Sequence, residues 1–272
     1  PDGAENDRRA SGSKAMHIFK RGRAAISNSL GRLLFPAVCA GCQSAVTRAG
    51  SVCPECWAKL RFIERLYCEV LGLPFAYDLG KGFLSAEAIA EPPPFARLRA
   101  AVLYQDLASH LVTALKYGDR TDLVPLMAGW MRRAGTELLA EADVVVPVPL
   151  HAGRLWRRRF NQSAELGRHL SKHSGVAFAP LALKRVKATR SQVGLGQKQR
   201  QENVRGAFRV ADPRRFEIEG RRVLLIDDVY TTGATAASAT RALKRAGARD
   251  VDVLVFARVG PGLSSALASG TA

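Results

Sequence analysis

The chain has 272 residues, of which 47% are hydrophobic and 24% charged, enough apolar material for one or two packed cores and too much for a wholly disordered chain. Lysine and arginine number 41 against 24 acidic residues, giving a formal net charge of +17. That excess predicts attraction to polyanions such as nucleic acid, phosphorylated metabolites or an anionic membrane face, while the absence of any apolar run of ~18 residues excludes a membrane-spanning helix.

Residues 1–38 read as a polar tail followed by a basic amphipathic helix. Ile18, Ile26, Leu30, Leu33 and Leu34 recur at helical spacing, with Lys20, Arg21, Arg23 and Arg32 between them. The start lacks the apolar core of a secretory signal, which predicts a cytoplasmic location and reduced thiols. Paired cysteines there read as metal ligands before disulfides. Residues 39–95 are rich in cysteine and loop formers and close with "EPPPF", a linker that cannot be helix interior. Within them, Cys39-x2-Cys42 is followed after ten residues by Cys53-x2-Cys56. Two such pairs are the spacing of a tetrahedral four-thiolate site, so a structural Zn2+ with no open position is expected. Cys68 is left over and reads as a small buried hydrophobe.

Residues 96–259 alternate between strand and helix patterns. "LRAAVLY" is a strand, "LASHLVTALKYG" a helix and "LVPLMAGWMRRAGTELLAEA" one longer helix. "DVVVPVPL" is an apolar, β-branched strand. "NQSAELGRHLSKHSG" is a helix, capped by Asn161 or Ser163 and ended by Gly175. "RRVLLIDDV" is another buried strand, "ATAASATRALKRAG" a helix ended by Gly247, and "VDVLVFARV" a last strand. The alternation predicts an α/β domain with a Rossmann-like parallel sheet covered on both faces. Between them, "KATRSQVGLGQKQRQENVRG" has no apolar period and is heavily cationic, the composition of a mobile lid. Residues 260–272 read as a disordered tail.

The stretch "VLLIDDVYTTGAT" at 223–235 carries the chemistry. Ligands of open parallel sheets bind beyond the carboxyl ends of the strands, and Asp227 and Asp228 fall at such an end. Thr231, Thr232 and Gly233 then turn into a helix whose first N–H groups suit a phosphate. Gly233 admits close backbone approach, and the hydroxyls of Thr231, Thr232 and Thr235 add donors. The two carboxylates would repel that phosphate and instead suit vicinal hydroxyls or a hydroxyl-bound Mg2+. Phosphate and diol together describe a ribose 5-phosphate. A nucleotide-binding P-loop would need G-x-x-x-x-G-K-[ST], which the sequence lacks.

That stretch closely resembles the phosphoribosyl pyrophosphate (PRPP) motif of type I phosphoribosyltransferases. With the two cysteine pairs, "LKYGDR" at 115–120, "VPVPLH" followed by "RRRFNQS", and "TRSQVGLGQKQRQENVRGAF", the chain resembles the ComF competence-protein family from about Cys39 to Val259. The resemblance implies a zinc-ribbon-like module ahead of a type I phosphoribosyltransferase domain. It implies that Asp227 and Asp228 hold the ribose hydroxyls, with Val229, Thr231, Thr232, Gly233, Ala234 and Thr235 around the 5-phosphate. Pro149, Leu150 and His151 would line the pyrophosphate loop, with Arg158, Asn161 and Gln162 following. Arg190, Arg200 and Asn203 would belong to the lid. It further implies Mg2+ with PRPP and a role in DNA uptake by handling single-stranded DNA on the cytosolic side, with a competence partner such as a DNA helicase. The alternative is an active transferase releasing pyrophosphate to a base or amine acceptor. For the DNA reading, the basic clusters 154–159, 184–190 and 198–205 and the rings of Trp57, Trp156, Phe160 and Phe208 are candidate contacts. Two positions depart from the family pattern: Leu71 stands where a cysteine partner of Cys68 is common, and Arg159 where glycine is usual.

Overall fold

The computed structural model describes residues 37–77, 82–151, 153, 155, 160–187 and 197–260, without the side chains of 197, 198, 200 and 201. The amphipathic segment of residues 1–36 and the tail after 260 lie outside these. Two compact units divide the chain, one ending at Cys53 and one beginning at Pro54.

In the first unit, the described residues form a tight turn in which Val38 bridges Ala45 and the Cys39 N–H donates to the Ser44 carbonyl. The second unit opens with two short helices, α1 (Pro54–Ala58) and α2 (Ala86–Ala90). Its α/β portion then runs through β1 (Leu98–Leu103), α3 (Asp106–Tyr117), α4 (Val124–Ala134), α5 (Thr136–Glu141) and β2 (Val144–Pro147). It continues with α6 (Gln162–Ser174), β3 (Ala177–Phe178), β4 (Leu183–Arg185), α7 (Gln197–Val204) and β5 (Phe208–Val210), and ends with β6 (Arg222–Tyr230), α8 (Ala234–Arg245) and β7 (Asp250–Arg258).

Five strands form a parallel sheet in the order β1-β7-β6-β2-β3, and β4 pairs antiparallel with β5 in a separate ribbon. The central strands are apolar because helices cover both faces. Val223, Leu224, Leu225 and Ile226 are fully buried, and each contributes roughly 1.5–3 kcal/mol relative to exposure. An aromatic cluster backs the sheet: Trp130 stacks on Phe256 at 6.1 Å and meets Trp57 and Phe62 edge-on.

The strand starts are closed by ion pairs. Asp252, almost fully buried, accepts from Arg97 Nε and Nη2 at 3.0 and 2.9 Å, and Arg97 also grips Glu141 with two donors. These bidentate pairs satisfy a buried carboxylate that would otherwise be costly.

Several sequence expectations change. The long helix of residues 123–142 is two helices, because Gly135 interrupts it. A Cβ at Gly135 would lie 2.6 Å from the Leu254 side chain, and the Thr136 hydroxyl donates back to the carbonyls of Arg132 and Arg133. The "DVVVPVPL" strand is shorter, pairing only over residues 144–147. The region read as loop contains α7, anchored by the buried Val204, whose carbonyl accepts from Ser238 Oγ at 2.6 Å. Asn161 is the cap of α6, accepting from the Ser163 N–H, and Gly175 ends that helix at φ 77°.

Candidate functional site

Strand β6 carries Asp227 and Asp228 to the carboxyl rim of the sheet, on opposite sides as strand alternation requires. Asp227 Oδ1 accepts from Ser163 Oγ at 2.9 Å and from the Asp228 N–H at 3.0 Å. Asp228 Oδ1 meets Lys116 Nζ at 3.0 Å. Burial, and then the neighbouring Asp228 charge, push the Asp227 carboxyl up to about 7, while Lys116 and the two hydrogen bonds pull the other way. Burial tends to lower Lys116, yet the Asp228 and Asp227 charges outweigh it and raise the ammonium above its ordinary value. The rim therefore sets the Lys116 ammonium of α3 against the carboxyl groups of Asp227 and Asp228, and Asp227 exchanges its proton near neutrality.

Beyond β6 the chain turns at Gly233, whose φ of 75° is natural only for glycine. A Cβ there would stand 2.3 Å from the Tyr230 hydroxyl, so the turn and the ring below it fit only without a side chain. No side chain caps the start of α8. Thr232 Oγ1 is buried without a hydrogen-bond partner among the described residues. A hydroxyl left in that state beside an uncapped helix start suits an anion that accepts from both. Tyr230 is itself buried, and that burial pushes its phenol up to about 12, keeping it neutral.

A cavity of about 760 Å3 opens beside this turn, lined by Tyr230, Thr232, Gly233, Ala234, Arg241 and Arg245 among others. Asp227 and Asp228 are not among its lining residues.

The remaining expected residues fall as follows. Val229 on β6, Thr231 in the turn and Thr235 at the start of α8 are partly buried, and Ala234 is buried. Pro149, Leu150 and His151 follow β2, also half-buried. Asn161 Nδ2 donates to the Val148 carbonyl at 3.0 Å, so this side chain ties the end of β2 to α6. Gln162 is buried, and its amide nitrogen has no partner among the described residues. Asn203 lies on α7. Arg158, Arg190 and the Arg200 side chain, with Trp156 and most of the basic cluster at 154–159, lie outside the described residues. Phe208 is 3% exposed and packs in the core, so it is not available for base stacking. Ser163 and Lys116 are the residues that sequence reasoning missed. Lys116 sits in the quoted "LKYGDR", but nothing in that stretch points at a carboxylate on another strand.

In the cysteine region, Cys39, Cys42, Cys53 and Cys56 bring their sulfurs within 4.8 Å of one another. Four thiol groups at that separation fit a tetrahedral zinc, as the spacing predicts.

The comparisons agree with this layout. A double zinc ribbon domain model matches residues 30–88, and a phosphoribosyl transferase domain model matches residues 163–265. The DNA utilization protein YhgH of Salmonella typhimurium is 32% identical over 229 residues, covering 81% of this chain and 90% of that protein. Competence protein F of Haemophilus influenzae is 30% identical over 227 residues with the same coverage. The chain belongs to the ComF family. Its architecture is that of the family: a four-cysteine zinc ribbon module and a phosphoribosyltransferase-fold domain with a parallel five-stranded sheet. No helix among the described residues is long and apolar enough to cross a membrane.

Proposed function

We propose that this ComF-family chain binds PRPP at the rim of β6 and uses that site in support of DNA uptake. The observation that carries the reading is the juxtaposition on one strand–turn–helix unit. Two carboxyl groups stand at residues 227 and 228, and a buried Thr232 hydroxyl with no partner among the described residues follows at a helix start that no side chain caps. The 5-phosphate takes the turn of residues 231–235, and the ribose hydroxyls donate to Asp227 and Asp228. Ser163 and Lys116 fix the orientation and charge of that pair. Asp227 and Asp228 also have the hard oxygen chemistry to hold Mg2+, which when bound would offset charge on the pyrophosphate.

The DNA half of the proposal rests on the net charge of +17 and on relatives named for competence and DNA utilization. Single-stranded DNA on the cytosolic side, with a helicase as partner, is the form we favour. A second reading is turnover, with pyrophosphate displaced by a base or amine. It is favoured by Asp227, which at about 7 lies in the range of an effective acid–base group.

Calorimetric titration with PRPP and Mg2+ tests the first part. Wild-type protein should bind, and Asp227→Ala/Asp228→Ala should not. Retained affinity in the double variant refutes the site. Labelled single-stranded oligonucleotide should bind with affinity falling steeply with salt, about 0.7 decades per decade of salt for each phosphate neutralised. A flat salt response refutes the DNA role. Pyrophosphate release on adding an acceptor would select turnover.

A further inference from the structure

The family model is a double zinc ribbon, and it spans all five cysteines of the chain, of which four already form one cluster. Around Cys39, the residue's N–H donates to the Ser44 carbonyl at 2.7 Å, and its carbonyl accepts from the Gln43 N–H. Val38 bridges Ala45, and the Cys53 N–H donates to Cys39 Sγ at 3.2 Å. Around Cys68 every one of these bonds recurs. The Cys68 N–H donates to the Leu73 carbonyl at 2.8 Å, and its carbonyl accepts from the Gly72 N–H. Tyr67 bridges Pro74, and the Ser85 N–H donates to Cys68 Sγ at 3.2 Å. The fifth residue of each turn has positive φ, 63° at Gln43 and 56° at Gly72. A five-residue helix begins directly after the residue whose N–H meets the sulfur, Pro54–Ala58 after Cys53 and Ala86–Ala90 after Ser85.

This correspondence places Cys68, Leu71, Ser85 and Ala88 at the positions of Cys39, Cys42, Cys53 and Cys56. Three of the four have no side chain able to serve as a thiolate ligand. Leu71 and Ala88 are buried, at 2% and 4% exposure, in the same apolar cluster as Cys68. We propose that residues 66–90 are a second ribbon in which an apolar and hydroxyl plug has replaced the metal, so that the chain holds a single structural zinc. The Ser85 hydroxyl also caps α2 by accepting from the Ala88 N–H at 3.3 Å. Arg258, at the end of β7, donates to the Leu71 carbonyl and ties the turn to the sheet. Burial would raise the Cys68 thiol, but the Ser85 hydroxyl and the N–H groups of Leu71, Ser85 and Val70 outweigh it and lower it. The sulfur thus keeps the acceptor shell of a zinc knuckle after the ion's other ligands have gone.

Zinc content of the purified full chain tests the assignment. Wild type should carry one equivalent, and Cys68→Ser should still carry one, whereas Cys39→Ser should lose it. Two equivalents in wild type, or zinc loss in Cys68→Ser with the fold intact, overturns the proposal. The triple variant Leu71→Cys/Ser85→Cys/Ala88→Cys restores four sulfurs at the second position. It should take up two equivalents, and on cobalt substitution should double the thiolate-to-cobalt absorbance. A folded triple variant that still binds one equivalent refutes the positional correspondence. Should the triple variant not fold, the wild-type and Cys68→Ser counts still decide.

Discussion

The Asp227→Asn substitution isolates the electrostatics of the rim. Asparagine keeps an Oδ1 acceptor for Ser163 Oγ and the Asp228 N–H, so it removes the charge and leaves both hydrogen bonds. Asp227 rises from an ordinary 3.8 to about 7 in the fold. The folded state therefore binds a proton more tightly than the unfolded state, and ionisation of Asp227 destabilises it. The sign is opposite to that of a salt-bridged carboxylate. The favourable state is fully present below pH ~4 and is lost as pH rises to about 7. Three decades of proton affinity at ~1.4 kcal/mol each set a ceiling of about 4 kcal/mol. Partial exposure of Asp227 and the nearby Lys116 reduce the realised effect to about 2 kcal/mol. For a chain of this size that corresponds to about 4–8 °C in Tm. Thermal melts of the ligand-free, zinc-loaded protein from pH 5 to pH 8.5 provide the assay. The variant should gain on wild type between pH 5 and 7, then hold a constant lead. A pH-independent gap, or a wild type that gains on the variant as pH rises, refutes the reasoning.

Lys116→Met removes the ammonium that meets Asp228 at 3.0 Å, and should cost about 1–3 kcal/mol at pH 8, less at pH 5; Lys116→Arg should recover part of the loss in the same melts. Gly233→Ala forces a Cβ against the Tyr230 hydroxyl and holds alanine at φ 75°, a strain of about 1–3 kcal/mol. It should weaken PRPP binding at least tenfold by calorimetry, and Tyr230→Phe should not restore affinity fully, because the φ strain persists. Asp252→Ala removes a buried carboxylate from the ion-pair network at the strand starts, leaving Arg97 on Glu141 and Arg222 on Glu141 and Asp250. Chemical denaturation should report a loss of about 1–3 kcal/mol with an unchanged m-value.

Much of this layout was written in short-range chemistry. The run Val223–Ile226 is buried on both faces, and such a run reads as a central parallel strand without any knowledge of its neighbours. Asp227, Asp228, Thr232 and Gly233 are consecutive enough that one strand and one turn bring them together. Cys39, Cys42, Cys53 and Cys56 are similarly local. What escaped the reading depends on distant pairing. Ser163 reaches Asp227 across 64 positions, and nothing near residue 163 marks it as more than a helix start. Lys116 carries no sign that its partner lies on β6. Helix α7 has almost no apolar face, and among its described side chains only Val204 is buried, so its pattern is that of a loop. Strands of two or three residues, such as β3, β4 and β5, are too short for a period to register. Gly135 splits a continuous helical pattern because of Leu254, which lies far away in the chain.

The ring cluster behind the sheet has a practical use. Of three tryptophans in the chain, Trp57 directly follows the zinc ligand Cys56, and Trp130 lies against it at 5.9 Å while stacking on Phe256. Its emission spectrum is therefore a built-in optical gauge. A dye-free stopped-flow trace can time metal release at the ribbon against loosening of the sheet in one cuvette.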